Sequence, residues 1–498
     1  MAGSCQRATV LAIIIAIGGL TACGGGGATL PQPHASGSAV PSNPGNSSHI
    51  DWPTFGFSST RSNENLSETQ LTASTVSTLH LLWSRKIGDS ASRYADTQPV
   101  VAANVPIDGS ATDIVYAGDE HGFFVAVNAA NGNVVWSKHL GSQATACADI
   151  PDQIFGITDT PVIDRARNRI YVVDGQGILM ALDLGTGNVA AGWPSSGVQV
   201  VDDPTLDHVW SGLSFDPSTN LLFVPTASYC DYGQWNGALR AVNVLSASVT
   251  TVFYFATGSA ARPSPPSTNF GGGVWSWGGI SIDGATHNLY SATGNLIPNE
   301  SATYSDSIVE WDPSLTPIAS AQPSNVSTDG DFGSAALLYD DAGSSCAIAV
   351  RKEGTLFVFD RTNIAAGPTF SLQLVPGSGD LVATPAHSSA THLVYVNNPQ
   401  SGNYGQGLYA FAPGPGCTLN TAAVWSQAIN VYVAPPTIAG GVVYDPAGSQ
   451  LLAFDATTGA RLWNSGSSIS GNVQNGVSVV NGKVYAVDWN DTLYAFGL

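Results

Sequence analysis

The sequence feature that most constrains the fold is a segment that recurs eight times. Its copies alternate apolar side chains and end near a small or polar residue; they are VAVN (125–128), MALD (180–183), RAVN (240–243), VEWD (309–312), FVFD (357–360), YAFA (409–412), LAFD (452–455) and YAFG (494–497). A partner segment precedes each copy; the partners are centred on Tyr116, Tyr171, Phe223, Tyr290, Ile348, Tyr395, Tyr444 and Tyr485. Alternating segments separated by turn residues predict antiparallel hairpins. Their recurrence at intervals of 41 to 67 residues predicts radial or solenoid repetition.

The last repeat stops directly after its YAFG strand, at Leu498, and therefore lacks an outer strand. The segment Leu81-Leu82-Trp83-Ser84 has the pattern of that strand and precedes the first complete repeat. We therefore predict an all-β fold: an eight-bladed β-propeller of four-stranded antiparallel blades, in which an N-terminal strand completes the C-terminal blade and leaves no open edge. A tandem of β-sandwiches is the alternative, but it would not explain the shared strand.

The composition excludes several classes of protein. Only 10% of the residues are charged and the formal net charge is −20, which argues against nucleic-acid binding because phosphates require clusters of Lys and Arg. The sequence contains neither a zinc-hydrolase spacing of histidines nor a phosphate-binding glycine loop. No CxxCH segment is present, so we expect no covalent haem.

The N-terminus has the pattern of an export signal. Arg7 precedes the apolar run Leu11–Leu20, which Thr21, Ala22 and Cys23 follow. A transmembrane helix is the alternative, but it needs about 20 apolar residues. The ending resembles a bacterial lipobox, which implies a signal peptide over residues 1–22 and acylation of Cys23. Gly24 in place of Asp is similar to the class sorted to the outer membrane, so we expect an exported lipoprotein on the periplasmic face of that membrane, in contact with it through the lipid anchor only.

The segment 23–50 is rich in Gly, Pro and Ser, and we interpret it as a flexible tether between the anchor and a propeller over residues 51–498. Four cysteines follow the tether, and export to an oxidising compartment favours disulfides. Of the three possible pairings we expect Cys147 with Cys230 and Cys346 with Cys417, each of which joins neighbouring repeats.

Several repeats continue through a turn to a tryptophan, as in AANGNVVW (129–136), LGTGNVAAGW (184–193) and ATTGARLW (456–463). With the preceding apolar strand, these motifs resemble the repeats of the pyrroloquinoline quinone (PQQ) propellers. That family includes the quinoprotein alcohol dehydrogenases and non-catalytic members such as the BamB-type outer-membrane assembly lipoproteins. The resemblance covers residues 51–498, and the opening DWPTFG (51–56) is similar to that of the dehydrogenases.

Local stretches imply candidate site residues. WGGISIDGATHNLYSATGN (277–295) resembles the dehydrogenase segment whose first Trp lies beneath the quinone and whose last Asn binds Ca²⁺, which implies Trp277 for the cofactor and Asn295 for the metal. TDGDFG (328–333) resembles the site of the catalytic aspartate and implies Asp331, where a carboxylate would accept the alcohol proton. The stretch 351–362 is similar to the strand whose basic residue contacts the quinone oxygens, which implies Lys352.

The sequence departs from the dehydrogenases at three places. Gly330 stands where those enzymes usually have Trp, and no adjacent Cys-Cys pair is present to cover the quinone. The Glu ligand to Ca²⁺ is missing, and Asp231 is the nearest substitute.

Two hypotheses follow from the sequence. The chain is either a quinoprotein-like oxidoreductase that binds PQQ and Ca²⁺, oxidises an alcohol or sugar and passes electrons to a separate acceptor, or a non-catalytic propeller that binds a protein or glycan partner in the cell envelope.

Overall fold

The computed structural model describes residues 49–89, 94–263, 269–298, 302–324, 330–377 and 380–498. The expected signal peptide, the acylation site Cys23 and nearly all of the tether lie outside the described residues, as do Thr328 and Asp329 of the aspartate stretch. Within the described residues, no helix has the length and apolar character needed to span a membrane.

Eight sheets form the blades, and each blade has four antiparallel strands, which confirms the predicted propeller. Each blade is given from its inner to its outer strand. Blade 1 has Val100–Ile107, Ser110–Gly118, Phe123–Asn128 and Val134–His139, and blade 2 has Val162–Asp164, Arg169–Val173, Ile178–Asp183 and Val198–Gln199. Blade 3 has Ser214–Asp216, Leu221–Pro225, Ala238–Asn243 and Ser248–Tyr254, and blade 4 has Ser281–Ile282, Leu289–Ala292, Ile308–Trp311 and Pro317–Ala321. Blade 5 has Leu337–Asp341, Ser344–Arg351, Thr355–Asp360 and Pro368–Gln373, and blade 6 has Ala386–Ser388, Leu393–Asn398, Gly407–Phe411 and Trp425–Gln427. Blade 7 has Thr437–Ala439, Val442–Ala447, Gln450–Asp455 and Arg461–Asn464, and blade 8 has Ser478–Val480, Lys483–Asp488, Thr492–Gly497 and His80–Lys86.

The remaining elements are short. Two-residue strands pair as Gln143–Ala144 with Ile154–Phe155, Asp207–His208 with Ala227–Ser228, Phe270–Gly271 with Leu296–Ile297, and Pro413–Gly414 with Thr418–Leu419. Four 3₁₀ turns of the described residues span Val76–Thr78, Pro151–Gln153, Arg165–Arg167 and Ile364–Ala366.

The recurring segments and their partners form the two middle strands of every blade, and the first strands face the ring axis because first strands of most neighbouring blades contact one another. The strand His80–Lys86 pairs antiparallel with Thr492–Gly497, so blade 8 is completed as predicted. The sheet of blade 7 carries a fifth strand, because Glu64–Asn65 pairs in parallel with Thr437–Ala439.

In several blades an outer-strand tryptophan packs against the glycine turn of the next blade. The Nε1 group of Trp136 in blade 1 donates a hydrogen bond to the carbonyl of Leu184 in blade 2 at 3.0 Å. A Cβ atom at Gly187 would lie 2.6 Å from the Trp136 ring, and Gly459 meets Trp425 at the same distance. Glycine is required in the turn because the indole of the preceding blade lies directly against its backbone.

The segment before the first blade lies across the inner strands of the ring. It is hydrogen-bonded to the inner strand of every blade or to the residue beside it; the bonded pairs are Trp52 and Val101, Pro53 and Ile163, Thr54 and Leu213, Ser59 and Ile282, Thr60 and Leu338, Ser62 and His387, Asn63 and Ile438, and Asn65 and Val479. The fully buried Arg61 donates to five oxygens of this region, among them the carbonyls of Leu213 and Ile280. We call residues 52–65 the axial segment.

The two expected disulfides are present. Cys346 and Cys417 connect the second strand of blade 5 to a hairpin of blade 6, with their Cα atoms 5.5 Å apart. Cys147 and Cys230 connect the segment that leads into blade 2 to a loop within blade 3, with their Cα atoms 5.6 Å apart.

Candidate functional site

A cavity of about 350 Å³ lies on the axis of the ring. Every one of the eight connections that lead into an inner strand contributes to its lining; the contributors are, in blade order, Tyr94, Cys147, Trp210, Trp277, Asp331, Val382, Val433 and Gln474. Loops between the second and third strands add Ser228, Asn295, Lys352 and Trp489. In an antiparallel blade these two kinds of connection lie at the same end of the sheet. The cavity is therefore a central pocket at one end of the propeller.

All five residues that the sequence singled out for cofactor, metal and catalysis line this cavity: Asp231, Trp277, Asn295, Asp331 and Lys352. They come from blades 3, 4 and 5 and are separated by as many as 121 residues along the chain. Their convergence is a fact of the fold, whereas the role of each remains a proposal.

Asp331 is the centre of a contact network. Its Oδ1 atom accepts a hydrogen bond from the backbone N–H of Asn295 at 2.5 Å, and its Oδ2 atom lies 3.8 Å from Nζ of Lys352. Asp331 is 4% exposed, whereas the Lys352 side chain is 27% exposed, so the carboxylate is buried and the lysine reaches toward solvent. A Cβ atom at Gly294 would lie 2.7 Å from Oδ1, which explains the glycine before Asn295. Asn295 and Asp331 are thus adjacent in the cavity lining, and their side chains carry oxygens of the kinds that Ca²⁺ prefers.

Trp277 is fixed by a second carboxyl group. Its Nε1 atom donates a hydrogen bond to Oδ2 of Asp96 at 3.0 Å, and its ring meets Trp210 edge-on at a centroid distance of 6.4 Å. Burial, with a smaller contribution from the charge of Glu120, raises the pKa of Asp96 well above its usual range. Burial therefore favours the neutral carboxyl at this position.

Five tryptophans line the cavity: Trp210, Trp235, Trp275, Trp277 and Trp489. Sequence reasoning singled out Trp277 alone among them, and it also missed Asp96. A partial signal for two of the missed tryptophans was present: Val-Trp-Ser occurs four times, and its copies at 209–211 and 274–276 lie just before an inner strand, whereas those at 135–137 and 424–426 lie in or at the start of outer strands. Asp96 had no comparable signal, because only folding brings it to Trp277.

The mouth of the cavity is acidic. Asp149, Asp231 and Asp380 line the cavity and are exposed, while Tyr432 beside them is 49% exposed. Oδ2 of Asp149 lies 3.8 Å from Sγ of Cys230, which places this carboxylate at the disulfide. Burial and then the charges of Asp380 and Asp149 raise the pKa of Tyr432, as expected for a phenol close to two carboxylates.

Asp231 is held at the mouth rather than at the Asp331 network by the contacts that position it. Its backbone N–H donates to Oγ of Ser228 at 2.9 Å, and that hydroxyl donates back to Oδ1 at 3.3 Å. Its φ angle of 55° places it in the left-handed region beside the disulfide.

The described residues fit calcium better than they fit PQQ. Asn295 and Asp331 supply hard oxygen ligands, and Asp231 supplies another within the same cavity. PQQ is a tricarboxylate that needs cations around it, but the described lining contains five aspartates, of which Asp96 favours the neutral form, and one cationic side chain, Lys352. That lysine is already paired with Asp331. The planar face of Trp277 suits a flat ring, whereas the charge of the lining does not suit this anion.

Comparison with known proteins identifies the family. The family model named PQQ_2, described as "Outer membrane protein assembly factor BamB", matches residues 60–212 and 382–497, which together are more than half of the chain. The chain belongs to the PQQ_2 family. The matched PQQ_2 ranges leave out residues 213–381, which contain the five candidate residues. No curated protein matches the sequence.

Solved structures share the fold at low sequence identity. A europium-containing methanol dehydrogenase aligns with a TM-score of 0.68 at 15% identity, over 91% of this chain and 99% of that chain. The quinohemoprotein alcohol dehydrogenase from Comamonas testosteroni aligns with a TM-score of 0.64 at 18% identity, over 90% and 80% of the two chains. BamB from Moraxella catarrhalis aligns with a TM-score of 0.54 at 14% identity, over 84% and 100%. At these identities the likeness shows the propeller fold alone.

Proposed function

We propose that this chain is a ligand-binding propeller of the cell envelope, exported and anchored through Cys23, whose central cavity holds a small molecule together with a divalent metal ion. In this proposal the metal half of a quinone-type site is retained and the half that would hold the quinone carboxylates is lost. The observation that carries it is the charge of the described lining, with five carboxyl groups and a single ammonium group.

The magnitude of electrostatic repulsion supports a binding role without PQQ. Two like charges 4 Å apart repel by about 4 kcal/mol at an effective dielectric constant of about 20, a value typical near a protein surface. A tricarboxylate that enters the cavity is repelled by the like charges of Asp231 and Asp380, which are exposed and therefore partly screened by water and salt, whereas Ca²⁺ is attracted by the same groups. The mouth therefore selects by sign of charge before any closer contact forms.

A quinoprotein-like oxidoreductase of alcohols or sugars is the second candidate. The contacts of Asp331 with Asn295 and Lys352 favour it, because a carboxylate between a metal ligand and a cation suits a base for proton abstraction. This candidate requires PQQ to bind despite the acidic lining and a separate electron acceptor. A protein or glycan partner, which the sequence also suggested, stays a prediction.

One titration series separates the two candidates. Metal-free protein is titrated by calorimetry with Ca²⁺ and then, with and without Ca²⁺, by PQQ while tryptophan fluorescence is followed. We expect saturable Ca²⁺ binding that Asn295→Ala weakens at least about tenfold, and no saturable binding of PQQ. Asp108→Asn, on an exposed hairpin tip, is the control of equal charge change for the variant Asp331→Asn.

Saturable quenching by PQQ that Trp277→Ala abolishes, with dye-linked alcohol oxidation lost in Asp331→Asn, would replace the first candidate by the second. Absence of Ca²⁺ binding would remove the metal from the proposal.

A further inference from the structure

The walls of the central cavity combine aromatic faces with carboxylates. Five tryptophans and five aspartates belong to its lining, in a space of about 350 Å³. The faces of indole rings carry negative potential and attract cations that lie within about 6 Å of the ring centre. Carboxylates next to such faces add attraction of the same sign. A neutral ligand gains only the apolar contact from these groups.

The protein's own lysine demonstrates this kind of cation binding. Nζ of Lys352 lies 5.7 Å from the ring centre of Trp275 and 3.8 Å from Oδ2 of Asp331. An ammonium group is thus held between an aromatic face and a carboxylate within the cavity. The other four tryptophans of the lining have no such side-chain cation among the described contacts.

The mouth repeats the combination without a lysine or arginine among its described lining residues. Tyr432 presents an exposed ring, and the charges of Asp380 and Asp149 act on it from nearby. Asp231 lies on the same side, next to the disulfide that Asp149 contacts. A cation that enters the cavity therefore passes an aromatic face flanked by carboxylates.

We propose that the ligand of the central cavity is an organic cation of the quaternary ammonium class, admitted by the Tyr432, Asp149 and Asp380 cluster and held over the tryptophan faces inside. This inference rests on the proposed function, since it names the ligand class of the same cavity. The cavity volume of about 350 Å³ accommodates a small cation beside a metal ion bound at Asn295 and Asp331.

The experiment compares two probes of equal shape and different charge. Choline chloride and its neutral isostere 3,3-dimethylbutan-1-ol are titrated into the exported full chain at constant ionic strength, with tryptophan fluorescence and calorimetry as readouts. We expect choline to bind at least about tenfold more tightly, a difference equal to about 1.4 kcal/mol. The double variant Asp149→Asn/Asp380→Asn should reduce this preference at least about threefold, and Tyr432→Ala should weaken choline binding. Asp108→Asn should change neither.

Each alternative outcome is decisive. Equal affinity for the two probes, or binding of glucose with no preference for choline, would overturn the ligand class. Ca²⁺ binding that depends on Asn295 while choline fails to bind would overturn this inference and leave the proposed function standing. Saturable PQQ binding would overturn both, since the cavity would then accept an anion.

Discussion

At the scale of single residues, close approach decides the chemistry of the cavity. Asp331 lies against the backbone of Asn295 because Gly294 has no side chain there. The same carboxylate lies 3.8 Å from Nζ of Lys352, so one residue links the backbone of blade 4 to a cation of blade 5. A side chain added at Gly294 should therefore disturb the proposed metal site without touching a bound ligand.

Gly294→Ala tests this dependence. The added Cβ atom would lie 2.7 Å from Oδ1 of Asp331 and displace the carboxylate, so we expect Ca²⁺ affinity to fall about tenfold or more. Calorimetric titration measures the effect. Gly405→Ala is the matched control, because the nearest atom to a Cβ there is the Tyr409 hydroxyl at 3.4 Å. Unchanged Ca²⁺ affinity in Gly294→Ala would exclude Asp331 as a ligand.

Buried carboxyl groups also control the dependence of stability on pH. Asp445 in blade 7 is fully buried, accepts a hydrogen bond from Asn397 at 2.7 Å, and burial raises its pKa from 3.8 to about 8. The folded protein therefore holds this proton between pH 4 and pH 8 while the unfolded chain releases it. The contribution of Asp445 to the free energy of unfolding is full below pH 4 and declines as the pH rises toward 8.

Asp445→Asn should reduce that decline. We expect the slope of the free energy of unfolding against pH between 4 and 8 to become less negative by up to about 1.4 kcal/mol per pH unit. Urea unfolding at several pH values measures it, with Asp108→Asn as the control. Parallel profiles for wild type and Asp445→Asn would show that Asp445 is ionised in the folded state.

At the scale of elements, each blade depends on its neighbour. In several blades the tryptophan of the outer strand packs on the glycine turn of the next blade, as Trp136 does on Gly187. Between blades 5 and 6 a covalent bond makes the connection, where Cys346 is joined to Cys417 across a separation of 71 residues. This disulfide limits the freedom of the unfolded chain between two whole blades.

The double variant Cys346→Ser/Cys417→Ser should have a lower free energy of unfolding than the wild type. The expected difference is about 4 kcal/mol, the amount typical of a crosslink that closes a loop of this length. The midpoint of urea unfolding measures the loss. Addition of dithiothreitol should destabilise the wild type more than the double variant, because the variant retains only the Cys147–Cys230 bond. Identical midpoints for the two proteins would show that the crosslink contributes nothing.

At the scale of the whole molecule, residues before the first blade stabilise the ring in two ways. The strand His80–Lys86 supplies the outer edge of blade 8, and the axial segment is hydrogen-bonded to the inner strand of every blade or to the residue beside it. A strand that precedes the first blade and the last strand of the chain thus lie in one sheet, and the axial segment crosses the inner strands. The pocket exists at one end of the axis because connections from all eight blades converge there.

Deletion of residues 51–88 should remove both the closing strand of blade 8 and the axial segment. The unpaired edge of Thr492–Gly497 would be exposed and the inner strands would lose their hydrogen-bond partners, so we expect aggregation on expression. Size-exclusion chromatography with light scattering checks the outcome. Deletion of residues 24–47 is the control and should leave a soluble monomer. A monomeric 51–88 deletion with an intact β-sheet circular dichroism spectrum would contradict the closure argument.

The expected disulfide pairing, one of three that the sequence allowed, is confirmed by the structure. The sequence by itself determined the number of blades, their middle strands and the closing strand. The reason is that these features depend on local alternation and on the repetition of a motif, which can be read along the chain. The alternation was weakest in the inner strands, since Ser281–Ile282 has two residues and no period to detect. The five candidate residues came from resemblance rather than from pattern.

Only the tertiary structure decided what the cavity is made of. The contact of Asp96 with Trp277 joins positions 181 residues apart, and the acidic mouth draws Asp149, Asp231 and Asp380 from three separate loops. The period of the repeats does not predict such contacts between distant residues, because they depend on the angle at which the blades close around the axis. The balance of charge in the cavity, and with it the class of ligand, is therefore a property of the closed ring rather than of any single repeat.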